Sequence, residues 1–239
     1  MLDDLRSLRE AVEAYRVGAM AMGVPWLDEG DRADALPVDA LRRIFDVDHI
    51  AEQPIWLNTE GLPQARVLPD GAFPLEWSNA DDLLGYLSFA VGIPFPWRHQ
   101  LPLLMYEHIV FTFVLAGDNE GEIWRYQIGP DDWNPVRAAS SLAALFTEWT
   151  KGFAADVYFR SPYDRWLHVG NDERDPFVVL LERDLDPFAY PVYSSQYSHG
   201  ELLRARQLAC GVDLDSADEP GRQDELLDAI HAALASLRR

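Results

Sequence analysis

The chain has 239 residues, of which 40 are acidic and 20 basic, giving a formal net charge of −20, and it contains one cysteine. A composition with 48% hydrophobic residues supports a sizeable folded core and excludes an intrinsically disordered chain. A single cysteine cannot form an internal disulfide, which excludes a disulfide-stapled secreted scaffold. The strong acidity argues against nucleic-acid binding, because phosphate contacts need clustered cations.

The distribution of apolar residues predicts neither a targeting segment nor a membrane span. The first residues mix both charges and lack a basic stretch followed by an apolar one, so we expect no signal peptide. The longest apolar stretches, residues 87–97 and 109–117, are shorter than the roughly 18 residues that a membrane span requires. We therefore expect a cytoplasmic protein that does not contact a membrane.

Helical patterns dominate the first 90 residues. Apolar residues spaced three and four apart predict a helix over residues 2–22, which ends at glycine and proline. Pro37 begins a short second helix with Leu41 on its apolar face. Residues 51–76 carry scattered Pro and Gly and are typical of short strands and turns, with residues 65–68 as the best strand candidate. A capping pattern followed by leucines predicts a helix over residues 81–90.

The clearest strand pattern lies in the middle of the chain. Residues 108–115 are apolar on both alternating faces, which predicts a central strand covered on two sides. A Gly-containing acidic turn over residues 117–121 leads into residues 122–128, where apolar and polar residues alternate. Together these segments predict an antiparallel hairpin. Ser140 or Ser141 then caps a helix that carries Trp149 on its apolar face.

The remaining residues predict short strands and two closing helices. Residues 157–159 and 166–169 are typical of short strands, whereas residues 177–181 are apolar without a distinguishing period. An aromatic-rich loop covers residues 186–198, and the helices are expected over residues 201–210 and 224–237. We divide the chain into residues 1–182, an α+β domain with N-terminal helices, and residues 183–239, a loop and C-terminal helical extension that packs on it.

The sequence contains none of the common catalytic or cofactor motifs. Glycine-rich phosphate loops, a nucleophile elbow and a His-Glu-x-x-His pair are all missing, and the six histidines never come within metal-ligand spacing of each other. Asp46 to His49 has a metal-like composition, but a solvated helix terminus explains it better. Cys210 fits a buried structural thiol better than a nucleophile. We therefore predict no catalytic residue, no metal and no cofactor.

Acidic turns and two tryptophans are the candidate contact residues. Glu120, Glu122, Asp131 and Asp132 could supply paired carboxylates for acid–base chemistry, although exposed turn acids are far commoner. Trp124 alternates with other apolar residues and is expected in the core. Trp133 lies in a turn between Asp132 and Asn134, so contact with a partner and burial are equally open for it.

Residues 108–151 combine a strand, an acidic turn, a second strand and a serine-initiated helix. These features fall on residues 111–115, 118–121, 121–126 and 141–149. In this combination the segment resembles the second half of a SUKH-superfamily domain. That superfamily includes fungal cell-wall-synthesis regulators and many bacterial immunity proteins against polymorphic toxins. Leu36-Pro37 is similar to the family's early Leu-Pro before a short helix.

The resemblance implies an α+β fold, mainly an antiparallel sheet packed against helices, with an N-terminal helix and a C-terminal helical extension. Because members of the superfamily are not generally enzymes, it also implies a non-enzymatic protein-binding module. The first hypothesis is therefore a bacterial immunity protein that binds and blocks a cognate toxin, and acidity would suit a basic toxin domain such as a nuclease. The expected partner contacts are loop acids and one exposed tryptophan: Asp118, Glu120, Glu122, Asp131, Asp132, Trp133, Asp172, Glu173 and Asp175.

Two alternatives remain open at this point. The first is a regulatory scaffold of the same fold that has no toxin partner, and an adjacent toxin gene would argue against it. The second is a small hydrolase that uses carboxylates with His108 or His168. This hydrolase requires a pocket in which a histidine and two acids converge.

Overall fold

The computed structural model describes residues 5–26, 37–63, 66–75, 99–127, 135–170 and 173–212, together with Asp228, Ala232 and Ala235. The described residues form helices and an antiparallel sheet, which confirms the predicted α+β class. Their helices, in chain order, are α1 (Leu5–Ala21), α2 (Val38–Phe45), α3 (Glu52–Trp56), α4 (Leu142–Ala154), α5 (Pro176–Glu182) and α6 (Gln196–Ala209). A π-helical turn, Leu57–Gly61, continues α3, and 3₁₀ turns occupy Pro69–Gly71 and Pro187–Ala189.

Five strands form one antiparallel sheet in chain order, and two more form a separate hairpin. The sheet contains β1 (Phe73–Pro74), β2 (Gln100–Tyr106), β3 (Ile109–Val114), β4 (Ile123–Gln127) and β5 (Val136–Ala139), and the hairpin contains β6 (Tyr158–Arg160) and β7 (Leu167–Val169). The predicted central hairpin is confirmed as β3 and β4, with Thr112 opposite Trp124. All six residues of β3 are buried, as expected for a strand covered on both faces.

The core lies between the sheet and the α1–α4 helix pair. Apolar residues recur on one face of each helix, so the pair buries that face against β3. The ring of Trp149 lies 6.0 Å from those of both Tyr15 and Phe111, which joins the two helices and the sheet. Its indole N–H donates to the carbonyl of Ala189 at 2.7 Å, so residues that follow α5 close the same core. The β3–β4 strand pair and helix α4, which carries Trp149, thus pack together, as predicted.

Several predicted elements differ from the structure for identifiable reasons. Of the predicted strand over residues 65–68, residues 66–68 form no strand and Ala65 lies outside the described residues. The Val67 carbonyl accepts the Tyr15 hydroxyl at 2.9 Å, so this segment is tied to α1. Strand β2 was not predicted because Pro102 interrupts its pattern, and the structure accommodates this proline at an irregularity in the register. The ambiguous residues 177–181 are helical, because Asp175 caps α5 and Pro176 occupies its first turn.

Two predicted helices near the C-terminus can be compared with the described residues, and one predicted helix earlier in the chain cannot. Helix α6 begins at Gln196, five residues earlier than predicted, since Ser195 supplies the cap. Asp228, Ala232 and Ala235 are helical, as predicted for residues 224–237. The predicted helix over residues 81–90 lies outside the described residues.

Arg125 departs most from the expected alternation of β4. Alternation along residues 122–128 predicts that Arg125 lies on the more polar face, but both faces of the strand are buried and Arg125 is only 1% exposed. Its guanidinium donates to the carbonyl of Val192, and burial lowers the pKa of Arg125 to about 10. A buried cation on this strand therefore connects the sheet to the segment that precedes α6.

Candidate functional site

The turn between β3 and β4 is rigidly built. The Glu120 amide donates to the Gly117 carbonyl at 3.1 Å, and the Gly121 amide donates to the Val114 carbonyl at 2.9 Å. Gly117 and Gly121 have φ angles of +94° and +89°, a backbone region in which glycine carries no steric cost. We call residues 117–122 the acidic turn.

Glu122 holds the acidic turn together from inside. Its carboxylate accepts hydrogen bonds from the side chains of Asn119 at 3.0 Å, Trp124 at 3.0 Å and Arg137 at 2.8 Å. The bond to Glu122 raises the pKa of Arg137. Trp124 itself is fully buried, as predicted. The carboxylate of Glu122, a predicted contact residue, is therefore hydrogen-bonded to donors within the protein.

The other two acids of the acidic turn, Asp118 and Glu120, differ in exposure. Asp118 is exposed, and no ion-pair partner for it occurs among the described residues. Glu120 keeps 25% of its side chain exposed and lies 3.5 Å from Nε2 of His49, which is itself 68% exposed. The structure thus brings two predicted contact acids together on one preorganised surface turn.

The other predicted contact residues fall into two groups. Asp131, Asp132, Trp133 and Asp172 lie outside the described residues. Glu173 and Asp175 flank the start of α5, and both are exposed. Asp175 is partly committed, because one oxygen caps the Phe177 amide at 2.9 Å and the other lies 3.1 Å from Nε2 of His199.

His199 links α5 to the segment before α6. Its Nδ1 accepts the backbone N–H of Ser195 at 3.1 Å, and its Nε2 lies 3.1 Å from Oδ2 of Asp175 without hydrogen-bond geometry. The imidazole also stacks on Phe177, with ring centroids 4.0 Å apart, and only 5% of the side chain is exposed. The ring of His199 therefore contacts both segments.

A histidine and two acids converge at the β6–β7 hairpin. His168 Nδ1 lies 3.6 Å from Asp70 Oδ1, and its Nε2 lies 3.0 Å from Asp164 Oδ2. The bond to Asp70, followed by that to Asp164, raises the pKa of His168, while burial opposes the rise. Burial raises the pKa of Asp70, which is 8% exposed and accepts the Val169 amide at 3.0 Å. We call Asp70, Asp164 and His168 the His168 clamp.

The geometry of the His168 clamp fits a structural tie. Both ring nitrogens of His168 face a carboxylate, which leaves neither directed at a substrate. The contacts join the hairpin to the 3₁₀ turn at Pro69–Gly71. The sequence suggests His168 only as a residue of the alternative hydrolase. It does not suggest Asp70, which lies 99 residues before its partner Val169 in the chain. Within the described ranges, no group of three or more His, Cys, Asp or Glu side chains could hold a metal ion.

Comparisons with known proteins return no relative. No family model, no curated protein and no solved structure matches the chain significantly. Among the helices that the structure describes, none is both long and apolar enough to cross a bilayer.

Proposed function

We propose that the protein is a non-enzymatic binding module that grips a cationic protein partner through the acidic turn. The observation that supports this proposal is that the three acids of the turn have different surroundings. Glu122 accepts three internal donors, Glu120 is mostly buried beside His49, and Asp118 is exposed. A turn that is already ordered loses little conformational entropy when it binds, so the exposed part of its charge is presented at low cost.

The charge of the whole chain supports the same partner chemistry. A net charge of −20 attracts a basic protein over distances of about a Debye length, roughly 10 Å at 0.1 M salt, and accelerates association. Electrostatic complementarity of this kind adds specificity and on-rate more than raw affinity. The expected complex therefore forms fastest at low salt and weakens as salt increases.

The biological role that fits this chemistry is that of a bacterial immunity protein acting in the cytoplasm. The resemblance of residues 108–151 to the SUKH superfamily favours this role, with a basic toxin domain as the bound and blocked partner. A regulatory scaffold of the same fold would bind a different cationic protein. A gene for a multidomain toxin beside the gene for this chain favours immunity over scaffolding.

The test begins with a pull-down from the native cytoplasm, with identification by mass spectrometry, and with direct mixing with the product of any adjacent toxin gene. We expect a basic protein to be retained at low salt and released by high salt. Retention of no basic protein under either condition would contradict the proposed function.

The acidic turn is tested with two double variants that remove the same charge. Asp118→Asn with Glu120→Gln removes two of the three acidic charges of the turn, whereas Asp156→Asn with Asp184→Asn removes two exposed acidic charges elsewhere. Asp156 and Asp184 have φ angles of +55°, which asparagine tolerates. Exposed charge pairs contribute about 0.2–1 kcal/mol each, so we expect the turn variant to weaken binding roughly twofold to thirtyfold. Equal effects of the two double variants would remove the acidic turn from the interface.

A further inference from the structure

Residues 193–198, which we call the tyrosine loop, end in the first turn of α6, because that helix begins at Gln196 and contains Tyr197. Their sequence is Tyr-Ser-Ser-Gln-Tyr-Ser, and Tyr197 is fully exposed while Tyr193 is 41% exposed. Tyrosine and serine are the residues that antibody loops use for recognition, because tyrosine offers a large, stiff contact surface and serine offers adaptable hydrogen bonds. An exposed tyrosine pair on a short segment is therefore a candidate recognition surface.

The sheet fixes the first half of the tyrosine loop. The Tyr193 hydroxyl donates to Oε2 of Glu107 at 2.9 Å, and the Ser194 amide donates to Oε1 of Gln127 at 3.1 Å. Just before the loop, the Val192 carbonyl accepts the buried Arg125. Three side chains from β4 and the β2–β3 turn thus hold the backbone and one ring in place.

Helices α5 and α6 fix the second half of the loop. The Ser195 hydroxyl caps α6 by accepting the Tyr197 amide at 3.2 Å, and the Ser195 amide donates to His199. His199 is stacked on Phe177 and faces Asp175, so it cannot turn away without losing both contacts. The exposed ring of Tyr197 therefore projects from a backbone that is already ordered, which lowers the entropic cost of binding.

The charges around the tyrosine loop are mainly acidic. Glu107 is exposed and bonded to Tyr193, and Glu201 is exposed on the first half of α6. Asp175 keeps 43% of its side chain exposed next to His199. Arg174, next to Asp175, is neutralised by Glu182 at 2.6 Å. Arg204, an exposed cation on α6, lies three residues after Glu201. An exposed tyrosine ring with carboxylates on neighbouring residues favours a guanidinium or ammonium group, through cation–π and ionic attraction together.

We propose that the tyrosine loop is the aromatic anchor of the partner interface and receives an arginine or lysine side chain of the partner protein. This inference rests on the proposed function, which supplies a cationic partner. It adds a second contact surface and assigns the central role to Tyr197, a residue type that dominates binding energy in protein interfaces. Asp175, predicted as a contact residue, is connected to this loop through His199.

The test compares Tyr197→Ala with Tyr163→Ala in complexes with the captured basic protein. Tyr163 is the matched control, because it is 97% exposed and lies in the β6–β7 hairpin. Because both rings are exposed, neither variant should change the melting temperature. We expect Tyr197→Ala to weaken the complex about tenfold or more and Tyr163→Ala to change it less than about twofold. Tyr197→Phe should bind nearly as well as the native chain, because the ring face is retained.

The outcomes separate the inference from the proposed function. If the native chain retains no basic protein, the proposed function fails. If the complex forms and Tyr197→Ala binds as tightly as Tyr163→Ala, the proposed function stands and the tyrosine loop is not the anchor. Arginine and lysine substitutions to glutamine on the partner should weaken binding to the native chain more than to Tyr197→Ala. Equal weakening of both would also overturn the inference.

Discussion

Replacing Asp70 should lower the free energy of unfolding, because this side chain accepts a buried backbone amide. Asp70 accepts the buried Val169 amide at 3.0 Å and has a φ angle of +52°. Asp70→Ala leaves that amide unpaired, which costs about 1–3 kcal/mol, and forces alanine into the left-handed region, which costs a further 1–2 kcal/mol or so. We therefore expect a loss of about 3 kcal/mol in the free energy of unfolding.

Asp70→Asn is the matched variant that isolates the two causes. Asparagine keeps an oxygen for the Val169 amide and tolerates a positive φ, but it removes the charge that faces His168. We expect this variant to lose about 1 kcal/mol, the usual net value of one hydrogen bond or ion pair. Urea unfolding followed by far-ultraviolet circular dichroism measures both losses. If Asp70→Ala loses less than about 1 kcal/mol, or no more than Asp70→Asn, the reasoning about the buried amide is wrong.

Two further predictions concern carboxylates that have partners inside the protein, namely those that face His168 and that of Glu122. Asp70 and Asp164 raise the pKa of His168, so its contribution to stability is complete below the unfolded pKa of about 6.5 and is lost as pH rises through the higher folded value. The stability difference between the native chain and His168→Asn should therefore shrink from pH 6 to pH 9 by urea unfolding, and a constant difference would contradict the paired imidazolium. Glu122→Ala should lower the free energy of unfolding by about 2 kcal/mol, because the buried Trp124 indole loses its acceptor, whereas Glu122→Gln should lose less. Equal losses for the two variants in the same assay would show that the acceptor oxygen is unimportant.

Local patterns explain why the centre of the fold was predictable. Strands β3 and β4 are joined by a short turn, and their alternation reports the pleat directly, so the hairpin follows from neighbouring residues. Helix α4 was predicted for the same reason, since its apolar spacing and the Ser141 cap lie within one segment. The hidden strand β2 shows the limit, because Pro102 is a poor strand residue that only the surrounding sheet makes acceptable.

The candidate surfaces were predictable only in part. The acidic turn is visible in the sequence as glycines and acids between two strands, but the pattern does not show that Glu122 binds internal donors while Asp118 is exposed. That distinction comes from the neighbouring Asn119 and Trp124 and also from Arg137, which reaches Glu122 from the next strand at 2.8 Å. The His168 clamp depends likewise on Asp70, which is brought to the β6–β7 hairpin by tertiary contacts. Long-range hydrogen bonds of this kind leave no periodic signature in the sequence.

The position of Asp175 decides how interface variants should be interpreted. Asp175 was predicted as a contact residue, and 43% of its side chain is indeed exposed. Its carboxylate also caps α5 and faces His199, which in turn holds the Ser195 amide of the tyrosine loop. Loss of Asp175 would therefore disturb the loop whether or not the partner touches the carboxylate. Tyr197 has no such internal role for its ring, because the ring is fully exposed, so weakened binding of Tyr197→Ala reports contact with the partner directly.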